Sequence, residues 1–160
     1  MTNKLHAIFE QLKEQSRAKG CMPLQDSHGV KLPESYLSFM RILGPGSWGG
    51  FLHFEAVQYL STHAELLSTF MDDDLKEMLE PTADVLVFAN SDNGDMCGWH
   101  LHDLARMPAD DCPVIRIAPR SFDEELIAKT TAVFFEKLGQ GADLFGVGGL
   151  PLRFQSRPVE

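Results

Sequence analysis

The sequence predicts an α+β domain in which helices at both ends bracket a largely antiparallel sheet. Three observations carry this. Leu5, Ile8, Phe9 and Leu12 recur at helical spacing near the start, and Thr131 to Leu138 does the same near the end. Between them, Val85-Leu86-Val87-Phe88-Ala89 is a continuous apolar run, the mark of a strand buried on both faces. Asp92-Asn93-Gly94-Asp95 follows it, and Asn-Gly is a strong hairpin signal because both turn residues suit positive φ.

The first helix is expected to end near Gly20, with a loop from Cys21 to Lys31. A second helix spans Leu32 to Leu43. Pro33 fits its first turn, where a missing N–H is not needed, and Glu34 lies near the positive end of the helix dipole. Tyr36, Phe39, Met40 and Leu43 share one face of it. Gly44-Pro45-Gly46-Ser47 must stop the helix. Trp48-Gly49-Gly50 then leads into a short strand, Phe51 to Phe54.

Ala56 to about Phe70 reads as a helix through Leu60, Ala64 and Leu67, followed by Asp72-Asp73-Asp74 and a further turn before Pro81. Cys97 to His102 is expected to return as the hairpin partner of the buried strand, and Val114 to Ile117 as another strand. The last helix has two candidate starts. Ser121 with Glu124 forms a capping box, whereas Thr130 or Thr131 opens the more apolar stretch. The later start is preferred, leaving Phe122 to Ile127 as a turn and short extended piece. Residues 1–145 form one domain, and the glycine-rich tail 146–160 wraps around it or hangs from it.

Composition excludes several classes. Net charge is −9, from 23 acidic and 14 basic residues, which argues against binding a nucleic-acid backbone and suits a basic protein partner. Three cysteines, Cys21, Cys97 and Cys112, imply no disulfide framework. The N-terminus has no signal-peptide core and no apolar run is long enough to span a bilayer, consistent with a cytoplasmic protein that uses no membrane.

Specific chemistry finds little support. His100 and His102 alternate on the expected strand, so both rings would point to one face, with Cys97 or Cys112 nearby. A structural zinc site needs four ligands, and no second pair has convincing spacing, so no metal is expected. Cys97 lies three residues from His100, which on a strand sends the two side chains to opposite faces; no catalytic set is expected. Asp92 to Asp95 lacks the later glutamate of a calcium loop, and Gly146-Val147-Gly148-Gly149 lacks the Lys-Ser/Thr of a phosphate loop. No cofactor is implied.

Binding is better served. Trp48 and Trp99 are either core residues or partly exposed anchors, since tryptophan is enriched at interface hot spots. Asp72, Asp73, Asp74, Asp92, Asp95, Asp110 and Asp111 would complement a basic surface if they converge on one face.

Several of these patterns stand in one order. They are Leu32-Pro33-Glu34-Ser35-Tyr36-Leu37-Ser38-Phe39-Met40, Gly46-Ser47-Trp48-Gly49-Gly50-Phe51, Val87 through Asp95, Trp99-His100-Leu101, Pro113-Val114-Ile115, and Ile127-Ala128 with Thr131 through Leu138. That series resembles the SUKH superfamily, which includes bacterial toxin-immunity proteins and fungal cell-wall-synthesis regulators. The sequence departs from the usual pattern in its longer tail and at Gly44-Pro45-Gly46, where many members carry an Asn-Gly-rich turn. The resemblance implies a twisted antiparallel sheet flanked by helices and a protein-binding role. The partner it implies is commonly a toxin with nuclease or deaminase activity, which the immunity protein occludes; an adaptor for an endogenous protein is the alternative.

Overall fold

The computed structural model describes residues 3–16, 18–20, 26–27, 30–59 and 85–157. Asp72, Asp73, Asp74, Cys21 and most of the helix expected over Ala56–Phe70 lie outside them. Helix α1 is Asn3–Ser16, and its buried stripe is Leu5, Phe9 and Leu12. It stops four residues before Gly20. Gly20 serves a close approach instead of a helix stop. A Cβ there would lie 1.5 Å from the Arg41 carbonyl oxygen, so only glycine permits the chain to pass the end of the next helix.

Two short strands, β1 (Asp26–Ser27) and β2 (Val30–Lys31), pair antiparallel and lead into α2 (Glu34–Ile42). Six consecutive α2 residues, Ser35 to Met40, are buried, and Phe39 is central. Its ring lies 4.4 Å from that of Phe54, 5.0 Å from Phe135 and 5.4 Å from Phe9, centroid to centroid. Such offset and edge-on pairs add to the burial of apolar area that drives folding.

The sheet has seven strands: β3 (Gly46–Trp48), β4 (Leu52–Tyr59), β5 (Val85–Ser91), β6 (Met96–His100), β7 (Val114–Ile117), β8 (Glu124–Ala128) and β9 (Phe154–Ser156). Their spatial order is β8-β7-β6-β5-β4-β3-β9, and every neighbouring pair is antiparallel. Among the described residues there are two more helices, α3 (Leu101–Arg106) and α4 (Thr131–Gly139), and a 3-10 turn at Ala109–Asp111. Strand β5 is buried on both faces, as its apolar run requires. Leu86 and Phe88 join the main core with the helices, while Val85 and Val87 join Met96, Ile115, Ile117 and Phe122 in a second cluster.

Several expectations need correction. Ala56–Tyr59 is strand, not the start of a helix: Gln58 and Tyr59 pair with Val87 and Leu86, so the ladder of the buried neighbour continues through them. Strand β3 was not expected. Its glycine is a poor strand former and the segment is only three residues long, so the pairing comes from β4 on one side and β9 on the other. Strand β6 ends at His100, and Leu101 to Arg106 turns into helix.

The hairpin at Asp92 also differs. Only Gly94, at φ 89°, is left-handed, and the loop closes through Gly94 N–H to Ser91 C=O (3.0 Å) and Ser91 N–H to Asp95 C=O (2.9 Å). It is a three-residue loop, not a two-residue turn with positive φ at both positions. The last helix takes its later start. Thr130 is the N-cap, its hydroxyl accepting from Val133 N–H at 3.1 Å. The tail wraps: Phe154 is buried in the main core, and β9 closes one edge of the sheet.

Candidate partner-binding surface

Because β3 to β8 run as a meander, their tight turns gather at one end of the sheet. Leu52 of β4 faces Ser91 of β5, Met96 faces Ile117, and Ile117 faces Glu124. The turns at Gly49–Phe51, Asp92–Gly94 and Ala118–Asp123 therefore lie side by side, and Asp92 N–H donates to the Phe51 carbonyl at 3.0 Å. Asp92, Asp123, Glu124 and Glu125 are exposed there. On the adjoining edge strand, Leu126 is 61% exposed, more than any other large apolar side chain among the described residues.

A buried polar network fixes this end. Asp95 is almost fully enclosed; its Oδ2 accepts from the Ser91 hydroxyl (2.8 Å) and its Oδ1 from Arg116 Nη1 (3.0 Å). The other side of the Arg116 guanidinium donates to Glu125 Oε2 from Nη2 (2.7 Å) and Nε (3.2 Å). Burial works against the charge on Arg116, but Glu125 and Asp95 more than offset it and push its pKa up. Arg116 thus ties the β5–β6 loop to the edge strand. Glu124 Oε2 is held in turn by His100 Nε2 at 2.9 Å.

A second network was not visible in sequence. Ser47 faces His53 across β3 and β4, with the Ser47 hydroxyl 2.7 Å from His53 Nδ1. His53 Nε2 lies 2.5 Å from Asp92 Oδ1. With Nε2–H donating to the carboxylate, Nδ1 accepts a hydrogen bond from the serine hydroxyl, so the set pins the Asp92 loop to the β3–β4 hairpin. The three residues are 6 and 39 positions apart, and only the register of β3, β4 and β5 brings them together.

The described acidic residues named from sequence, Asp92, Asp95, Asp110 and Asp111, do not form one face. Strand β6 carries the chain from the Asp92 loop to the far end of the sheet, where α3 and the 3-10 turn hold Asp110 and Asp111. Asp110 plays a structural part there, its Oδ1 accepting from the Glu34 N–H at 2.7 Å. Pro33, at the N-cap of α2, makes no side-chain cap, and Asp110 supplies one from 76 residues away. It also lines an open cleft of about 640 Å³ with Lys31, Glu34, Leu37, Arg41 and Pro108.

Trp48 and Trp99 are both fully buried, so neither can anchor a partner. Their rings complete the main core: Trp99 stacks on Phe88 at 4.5 Å and its Nε1 donates to Thr131 Oγ1 at 2.8 Å. Asp95, enclosed with Arg116, is likewise removed from any contact surface. Of the named aspartates among the described residues, Asp92, Asp110 and Asp111 are exposed.

The cysteine and histidine chemistry changes too. His102 is on α3 and exposed, so it does not share a strand face with His100. Burial, reinforced by Asp95, pushes the Cys97 thiol far up. Burial and then Asp103, Asp111 and Asp110 push Cys112 up to about 11. Both stay protonated thiols at neutral pH and are poor nucleophiles. Among the described residues, no group of three or more His, Cys, Asp or Glu is placed to hold a metal, and no helix is long and apolar enough to cross a membrane.

The order of elements, the antiparallel meander and the helices packed on one face define a protein class, and comparison with known families names it. Residues 23–137 match the model of the SMI1 / KNR4 family (SUKH-1). The chain belongs to that family, whose members include toxin-immunity proteins and regulators. No curated protein matches it.

Proposed function

We propose that this chain is an immunity protein that neutralises a basic toxin domain by covering its functional surface. The acidic hairpin end of the sheet makes the contact. The observation that carries this reading is the gathering of exposed Asp92 and Asp123 on adjacent turns with exposed Glu124 and Glu125 at the start of β8, beside exposed Leu126. Exposed like charges on a fixed frame steer an oppositely charged partner and set its orientation. The frame is preorganised by Arg116 and His53, so little ordering cost accompanies binding. A net charge of −9 acts in the same direction.

The inhibition is steric and electrostatic and needs no covalent step. The raised thiol pKa values of Cys97 and Cys112 support binding over cysteine catalysis. Ser47 lies on a strand paired on both sides, by β4 and β9, a structural setting for its contact with His53.

Co-expression with the toxin encoded beside its gene tests the reading. The wild-type chain protects cells, and a variant with Asp92, Asp123 and Glu124 changed to lysine does not. A toxin that kills equally with and without the wild-type chain contradicts the proposal. Capture of an endogenous protein in place of a toxin would favour the regulatory adaptor.

A further inference from the structure

We infer that the partner docks by adding a strand to the open edge of β8, antiparallel to it, and that the added strand carries an apolar residue followed by two basic ones. This deepens the proposed reading and rests on it for the partner's basic character. Three observations lead to it.

First, β8 is the end strand of the seven-strand sheet, so its outer backbone groups have no strand neighbour among the described residues. The phase of the β7–β8 ladder says which groups those are. Ala118 N–H donates to the Asp123 carbonyl at 2.9 Å. Hydrogen-bonded and non-hydrogen-bonded pairs alternate along an antiparallel ladder. The pair Arg116–Glu125 is then bonded, while Ile117–Glu124 and Ile115–Leu126 are not. The N–H and C=O of Glu124 and Leu126 consequently point away from the sheet.

Second, the open stretch is bounded. The register shifts at Ile127, and the Ile127 carbonyl accepts from Lys137 Nζ at 3.0 Å. A bulge and a lysine at the edge are devices that block strand pairing, and here they close the C-terminal part of β8 while leaving Glu124 to Leu126 open.

Third, the side chains specify the occupant. Directly opposite residues in an antiparallel pair interact most strongly. Leu126, 61% exposed, calls for an apolar side chain, and Glu125 and Glu124 call for basic ones in the next two positions. Arg116 and His100 hold the two carboxylates but leave acceptor capacity on each. The opposite edge suits such a strand poorly: β9 is only three residues long and is flanked by Arg153 and Arg157.

The test is an amide NMR titration of the full chain with the acetylated, amidated peptide Thr-Val-Lys-Lys-Thr. Saturable shifts centred on Glu124 to Leu126, with slowed hydrogen exchange at the Glu124 and Leu126 amides, are expected. They should vanish when the peptide lysines are replaced by glutamates. They should vanish also in Leu126→Pro, which removes an outward donor without touching a bond to β7. Shifts located elsewhere, or undiminished in Leu126→Pro, overturn the inference, as does no shift with the wild-type chain. Concentration-dependent changes at the same amides without peptide would assign the edge to a second copy and also overturn it. Because the peptide is not a toxin, edge pairing and toxin protection can fail separately.

Discussion

Trp48 and Trp99 look alike in sequence and are equally buried, yet they stand differently in the core. Trp99 Nε1 is bonded to Thr131 Oγ1, whereas Trp48 Nε1 is buried with no acceptor among the described residues. A buried donor without a partner costs about 1–3 kcal/mol. Trp48→Phe removes that donor and so offsets part of the packing it loses, while Trp99→Phe breaks a made bond. Thermal or urea unfolding of the two variants should show Trp99→Phe as the more destabilised; the reverse order would contradict this account. At Arg116 the charge is the issue. Arg116→Met leaves Asp95 enclosed without its cation, and breaking such a pair costs about 3 kcal/mol or more. Urea unfolding of Arg116→Met checks that loss.

Asp143 supplies a pH signature. What desolvation it feels raises its pKa, but the backbone N–H groups of Gly148, Gly146, Val147 and Phe145 outweigh this and hold it below the usual carboxylate range. A folded pKa lower than the unfolded one gives stability that is present above the unfolded pKa and lost as pH falls through the folded one. Asp143→Asn should therefore be less stable than wild type near neutral pH, with the gap closing in acid. Urea midpoints measured across that range decide it. None of these distinctions was readable from residue type alone. Burial and partner identity depend on contacts between elements far apart in the chain.

Among the elements, those with a strong local signal were legible and those defined by their neighbours were not. The stripes of α1 and α2, the apolar run of β5 and the Thr130 cap of α4 carry their own instructions. Strand β3 takes its conformation from β4 and β9, and α3 is a six-residue helix opened by Leu101 where a strand was expected to continue. The cap of α2 is the clearest long-range case. Asp110 reads as a solvated acid in a loop, and only the fold places it on the Glu34 N–H. Asp110→Ala should cost about 1 kcal/mol, while Asp110→Asn, still an acceptor, should cost little. Comparing the unfolding midpoints of the two variants tests whether the carboxylate caps the helix.

For the whole molecule, topology governs the surface. An uninterrupted meander must place alternate connections at the same end of its sheet, so the Asp92 and Ala118–Asp123 turns meet while Asp110 and Asp111 go to the other end. The acidic composition suits the proposed basic partner but does not say where one would bind. The division of the acids between two ends sets up the sharpest comparison, which is affinity for the proposed partner, a toxin domain encoded beside this chain, measured by calorimetry in two charge-reversal variants. Changing Asp92, Asp123 and Glu124 to lysine should weaken binding by about a hundredfold or more, since rejecting a like-charged juxtaposition costs several kcal/mol. Changing Asp111 and Asp103 at the opposite end should leave affinity close to wild type. Loss of binding in the second variant with retention in the first would contradict the account.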